Sequence, residues 1–238
     1  MPEGLHWEVA AAVTESLQRR EKRNLLAVGV FGSVARGEVR RFSDLDLLVV
    51  ARRRKARLRP SILRGILVTY HHLTVEEARE EVTGSGPWLN DTLGGWSSVW
   101  PVHDPTGILR RLKQRAAKAR ANQFDGSARR DLLETYEDLG KLRNAIADGD
   151  KEEAREMALW FTGAAAGSLL DLERHVTRTG RRMFIEARRY GSVGRVIWGL
   201  RYEELPLPRM SALAERIWRG LLAKARDRRL RIPGLIDG

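Results

Sequence analysis

The sequence predicts an α+β protein: a mixed β-sheet with flanking helices over residues 1–125, then an all-α helical bundle over residues 126–238. Three observations carry this. Short apolar runs at residues 25–31, 45–51 and 65–72 are bounded by glycine or charge and read as buried strands. Apolar positions at residues 132–146, 154–172 and 212–230 recur at helical spacing. Between the two patterns lies the polar stretch 122–127 with its Asp125-Gly126 pair, a turn signal and the best domain boundary in the chain.

The elements follow in order. Residues 6–20 place Val9, Ala12, Val13 and Leu17 on one helical face, and Asn24 ends that helix. The strand 25–31 breaks at Gly32-Ser33, which opens a short helical turn over 33–37. A polar loop over 38–43 leads to the strand 45–51. The basic run 52–57 has no interleaved aromatic residue and reads as a solvated hairpin loop or as a contact for a polyanion. After the strand 65–72, Thr74 and Glu77 have the spacing of a capping box that starts a helix. A loop over 84–90 and a fourth strand over 96–102, ended by Asp104-Pro105, precede a basic amphipathic helix over 108–119. In the second half, breaks at Gly149-Asp150, Thr179-Gly180 and residues 205–208 separate the helices of a bundle. Trp160, Phe161, Ile197, Trp198 and Trp218 read as core or subunit-contact residues.

Composition narrows the function classes. The chain has no cysteine, which excludes disulfides and thiolate metal sites. No run approaches the ~20 apolar residues of a membrane helix, and Glu3 and Glu8 interrupt any signal-peptide core. The expectation is a cytoplasmic protein with no membrane partner. A net charge of +12 favours polyanions such as nucleotides or nucleic acid, and equally suits an arginine-rich charged surface.

The chemistry concentrates in residues 28–50. Asp44 and Asp46 alternate with Leu45 and Leu47, so in a strand both carboxylates share a face, their Cα atoms roughly 6–7 Å apart. Two such carboxylates suit Mg2+ or Mn2+, with water and substrate phosphates completing the shell. Gly32-Ser33 provides a turn with free backbone N–H groups and a hydroxyl donor for an anion. Arg36 stands within reach of such an anion or on the surface, and Ser43 immediately precedes the first aspartate.

The pattern Gly-Ser-x-x-x-Arg-Gly followed by Ser-Asp-Leu-Asp-Leu resembles the signature of the polymerase-β-type nucleotidyltransferases. The resemblance implies an N-terminal nucleotidyltransferase domain. It assigns Gly32, Ser33, Arg36 and Ser43 to the nucleotide, and Asp44 and Asp46 to catalytic metal. In that family a third strand adds a third carboxylate. Here residues 68–71 are Val68, Thr69, Tyr70 and His71, none of them acidic, with Thr69 the nearest match. His71 is a poor substitute ligand for Mg2+, and His71 and His72 read as structural or substrate-lining.

The run 133–144, LETYEDLGKLRN, places Glu134, Glu137 and Lys141 on one helical face. Taken alone this is a surface ion-pair ladder or a site. In layout the chain is similar to the kanamycin nucleotidyltransferase group, where the corresponding glutamate is general base and the lysine contacts phosphate; those positions are Glu137 and Lys141. The resemblance further implies ATP as co-substrate, a small-molecule hydroxyl acceptor, and a homodimer whose sites combine one subunit's sheet with the other's helices. Two other functions fit the sequence: a nucleotidyltransferase that modifies a partner protein, and a catalytically degenerate nucleotide- or nucleic-acid-binding module.

Overall fold

The computed structural model describes residues 2–54 and 58–232, which divide into two compact units. The first comprises residues up to Gly84 together with Thr92–Ala119; the second comprises Ser85–Asp91 and everything from Arg120 onward.

In the first unit α1 (Leu5–Glu21) leads into β1 (Leu25–Phe31), the short helix α2 (Gly32–Ala35) and β2 (Leu45–Ala51). The hairpin β3 (Ser61–Leu63) and β4 (Ile66–Thr74) turns through Arg64 and Gly65, both at positive φ, as a two-residue primed turn requires. Helix α3 (Val75–Thr83) follows, then α4 (Leu89–Ser98), which straddles the division between units, β5 (Trp100–His103) and α5 (Ile108–Ala116). The five strands lie in the order β3-β4-β2-β1-β5. Only the β2–β4 pair is parallel, so the sheet is mixed as expected.

Alternation sets the layers. Leu45, Leu47 and Val49 of β2 join Val28 and Val30 of β1 in a core with Trp7, Ala10, Val13 and Leu17 of α1. Gly29, on the opposite face of β1, packs where an added Cβ would meet Leu109 of α5 at 3.0 Å. The expected capping box is present: Glu77 N–H donates to Thr74 Oγ1 at 3.3 Å and Thr74 N–H to Glu77 Oε2 at 2.7 Å.

The expected fourth strand over 96–102 is corrected. Residues 89–98 are helical and β5 begins at Trp100. Leu89, Leu93 and Trp96 bury one helical face, and the Ser97 and Ser98 hydroxyls donate back to the Gly94 and Gly95 carbonyls. Two central glycines mask this periodicity in the sequence. Pro101 is tolerated because β5 is an edge strand. Of the basic run, Lys55 to Arg57 lie outside the described residues. Arg52 donates to the Arg23 carbonyl and Arg54 pairs with Glu77, which fits a loop tied to the protein.

The second unit holds α6 (Ala121–Ala147), α7 (Lys151–Leu172), α8 (Met183–Ala187), α9 (Gly191–Tyr202) and α10 (Leu207–Asp227). Asp125-Gly126 is not a loop: α6 runs through it. Gly126 is accommodated because an added Cβ would lie 2.5 Å from Ser85 Cβ. The expected break at Gly149-Asp150 is present. Gly149 takes φ +75°, Asp150 N–H donates to Ala145 O, and the Asp150 carboxylate caps α7 through Glu152 and Glu153 N–H. The core joins Leu132, Leu139, Phe161, Leu169, Ile197, Ile217 and Trp218, whereas Trp160 is 62% exposed.

The segment Ser85–Asp91 is held in this unit by buried polar side chains. Leu89 N–H donates to Ser127 Oγ and Ser127 Oγ–H to Gly86 O. Trp88 N–H is shared between the Asp131 oxygens at 3.4 Å each. Asn90 donates to Asp171 Oδ1 through its backbone and its amide, at 3.1 and 2.7 Å. Burial, then the neighbouring Asp171 charge, pushes the Asp131 pKa up to about 8, and burial also raises that of Asp171. Asp131 therefore keeps its proton and donates it toward Asp171.

Candidate active site

The site grows from the way β1 and β2 pair. Because they are antiparallel, the end of β1 lies beside the start of β2, with Phe31 opposite Asp46 and Val30 opposite Leu47. Leu45 and Leu47 are fully buried against α1, while Asp44 and Asp46 alternate with them and remain partly exposed. The two halves of the motif, separate in sequence, thus meet at one sheet end.

Contact at that end is close. Gly32 has φ +70°, and a Cβ there would stand 2.4 Å from Asp46 Oδ2. Glycine is required twice over, by backbone conformation and by the carboxylate packed against it. The α2 turn then closes with Gly37 at φ +69°, Gly37 N–H donating to Val34 O at 3.1 Å and Glu38 N–H to Ser33 O at 2.9 Å. These paired bonds are a Schellman motif and explain the second glycine of the signature. Ser33 is buried and its hydroxyl has no hydrogen-bond partner. An unpaired buried hydroxyl costs ~1–3 kcal/mol; at this turn it offers a donor to a bound anion.

Thr69, the residue the sequence comparison set nearest to the family's third carboxylate, stands beside Asp46. It pairs in register with Asp46 across the parallel β2–β4 ladder, and its hydroxyl donates to Asp46 Oδ1 at 2.7 Å. Where the resembled family has a third acid, this chain has a donor that orients the second. Among the described residues no cluster of three or more His, Asp or Glu side chains could hold a metal. The oxygen donors present, two partly exposed carboxylates, fit a hard cation such as Mg2+ or Mn2+ that completes its shell from water and phosphate.

The remaining sequence-expected residues divide. Arg36 is half-buried, with Nε paired to Glu38 Oε2 at 3.0 Å. Ser43 closes the loop before Asp44: its Oγ accepts from Arg40 N–H at 2.8 Å, and its carbonyl bonds the His6 ring. The Ser43 hydroxyl proton remains available to donate. Glu137 and Lys141 lie on α6 in the second unit as an exposed ion pair at 2.9 Å, with Asp138 Oδ1 also accepting from Lys141 at 3.3 Å. The hydrogen bond from Lys141 lowers the Glu137 pKa, and the two carboxylates raise that of Lys141.

Sequence reasoning missed Glu81 and Trp96. His71 Nε2 lies 2.7 Å from Glu81 Oε1, and Trp96 Nε1–H donates to Glu81 Oε2 at 2.9 Å. Nothing local distinguishes Glu81 from Glu76 and Glu80 around it; only the packing of α3 and α4 does.

The family model of the nucleotidyltransferase domain matches residues 12–94. A nucleotidyltransferase-like protein from Exiguobacterium sibiricum 255-15 has the same fold, with a TM-score of 0.61 at 15% sequence identity, covering 92% of this chain and 75% of that one. No curated protein matches the chain. Residues 12–94, which contain the glycine turn, both aspartates and Thr69, constitute a nucleotidyltransferase domain of the polymerase-β-type superfamily.

Proposed function

We propose that the protein transfers a nucleoside monophosphate, AMP from ATP, to a hydroxyl of a small aminoglycoside-like polyol, releasing pyrophosphate. The observation that carries this reading is the junction of Gly32 with Asp46, a glycine turn packed directly against a carboxylate. Asp44 and Asp46 would hold Mg2+ or Mn2+, which neutralises charge on the triphosphate and on the leaving group. The turn's N–H groups and the Ser33 hydroxyl face the phosphates, Arg36 adds positive charge beside them, and Ser43 contributes its hydroxyl. Thr69 fixes the rotamer of Asp46. Positioning and charge neutralisation supply most of the rate in such transfers.

The helical unit contributes Lys141 to the nucleotide phosphate, and Glu134, Glu137 and Asp138 to a cationic acceptor. Two copies pair as a homodimer, each lending its helical unit to the other's sheet. The resemblance makes Glu137 a general base, but the hydrogen bond with Lys141 weakens its hold on a proton.

The test is incubation with α-labelled ATP, Mg2+ or Mn2+, and a panel of aminoglycosides and polyols. Label should appear on an acceptor, with pyrophosphate released. Asp44→Asn should abolish metal-dependent turnover, and an Asp44→Asn chain as active as wild type would remove the aspartates from the mechanism.

A further inference from the structure

The site lacks a third acid, and the structure holds a differently built proton acceptor beside it. Along β4, His71 follows Thr69 by two residues and so shares its face, roughly 6–7 Å further along the strand. Thr69 is bonded to Asp46, and in the β2–β4 register His71 stands beside Leu48, two residues on from Asp46. The Phe31 ring, opposite Asp46 on the other side of β2, lies 6.2 Å from the His71 ring, centroid to centroid. His71 is thus on the carboxylate face of the sheet, its ring near that of the residue preceding the glycine turn, and solvent-exposed.

Its ring is held in one orientation. Trp96 Nε1 can only donate, so Glu81 accepts through Oε2, and Glu81 Oε1 accepts in turn from His71 Nε2–H. That bond selects the tautomer with a bare Nδ1, to which no described residue bonds. Trp96 is buried and Glu81 is one-quarter exposed, so the support is anchored while the histidine is accessible.

We propose that His71 is the proton acceptor for the incoming hydroxyl, positioned by Glu81 and Trp96, in the role the resemblance gives to Glu137. The acceptor O–H proton passes to His71 Nδ1 as the oxygen forms its bond to the α-phosphorus. The bond from that phosphorus to the bridging oxygen breaks, pyrophosphate leaves with the electron pair, and Glu81 balances the imidazolium. The inference rests on the transferase reading above.

The experiment compares wild type with His71→Gln, Glu81→Gln and Glu137→Gln in the labelled-ATP assay, with binding of a fluorescent ATP analogue measured alongside. Glutamine at 71 can still donate to Glu81 but has no basic nitrogen. His71→Gln should therefore lower kcat about 100-fold or more while leaving analogue binding and the KM for ATP unchanged. Glu81→Gln should lower kcat by about tenfold. Free imidazole should restore part of the turnover of His71→Ala, which a merely structural histidine would not show. An active wild type with His71→Gln within twofold of it overturns this inference alone, as does a loss of kcat confined to Glu137→Gln. A wild type that modifies no acceptor overturns the transferase reading and this inference with it.

Discussion

Replacing Asp131 by asparagine should stabilise the helical unit at neutral pH and flatten its pH dependence. The Asp131 pKa rises from an ordinary 3.8 to about 8 on folding, chiefly through burial and then through Asp171. Between those values the folded chain holds a proton that the unfolded chain has released. Stability contributed by such a group is complete at low pH and falls as pH rises toward 8. Each pH unit in that window costs about 1.4 kcal/mol, so wild type should lose about 3 kcal/mol between pH 5 and pH 7 that the variant does not lose. Asparagine fits the site: its carbonyl accepts from Trp88 N–H and its amide donates toward Asp171, as the protonated acid does. Urea unfolding of both chains at pH 5, 6 and 7 measures the effect, because ordinary surface carboxylates titrate alike in both and cancel in the difference. A stability difference between variant and wild type that stays constant across this range would refute the shared-proton account.

Three further outcomes are expected. Gly32→Ala places a non-glycine residue at φ +70°, at ~1–2 kcal/mol, and drives its Cβ into Asp46 Oδ2; Mn2+ affinity, read by electron paramagnetic resonance of the free ion, should fall along with turnover. Thr69→Val keeps the shape but removes the donor to Asp46; metal affinity should fall about 10- to 100-fold with the melting temperature little changed, and unchanged affinity would make Thr69 a packing residue only. If sites are shared across a homodimer, a mixed dimer of Asp44→Asn and Lys141→Ala chains should recover about half of wild-type activity through one intact site. No recovery in a confirmed mixed dimer would place the site within one chain.

Much of the first unit was legible because its signals are local. The expected strand at 45–51 has the observed bounds, since alternation, charge and glycine punctuation mark a strand within a few residues. Thr74 and Glu77 announced their cap three residues apart. The helix over Leu89–Ser98 was hidden because its central glycines carry no hydrophobic signal, and its apolar end imitates a strand. Asp125-Gly126 misled for the opposite reason. A strong turn signal was overridden by a helix whose glycine makes room for Ser85.

Residue chemistry and spacing alone were enough to pick out Asp44, Asp46 and Gly32 as candidates for holding a metal and a triphosphate, because a strand's two-residue period and a glycine's conformational freedom need no knowledge of distant chain. They were silent on which neighbours complete the site. Thr69 reaches Asp46 only through pairing of β2 with β4, and Glu81 reaches both His71 and Trp96 only through the packing of helices on the sheet. The raised pKa values of Asp131 and Asp171 likewise arise only when α6 and α7 bury two acids together. Such contacts join residues ten or more positions apart, and their energies depend on burial that no local pattern encodes.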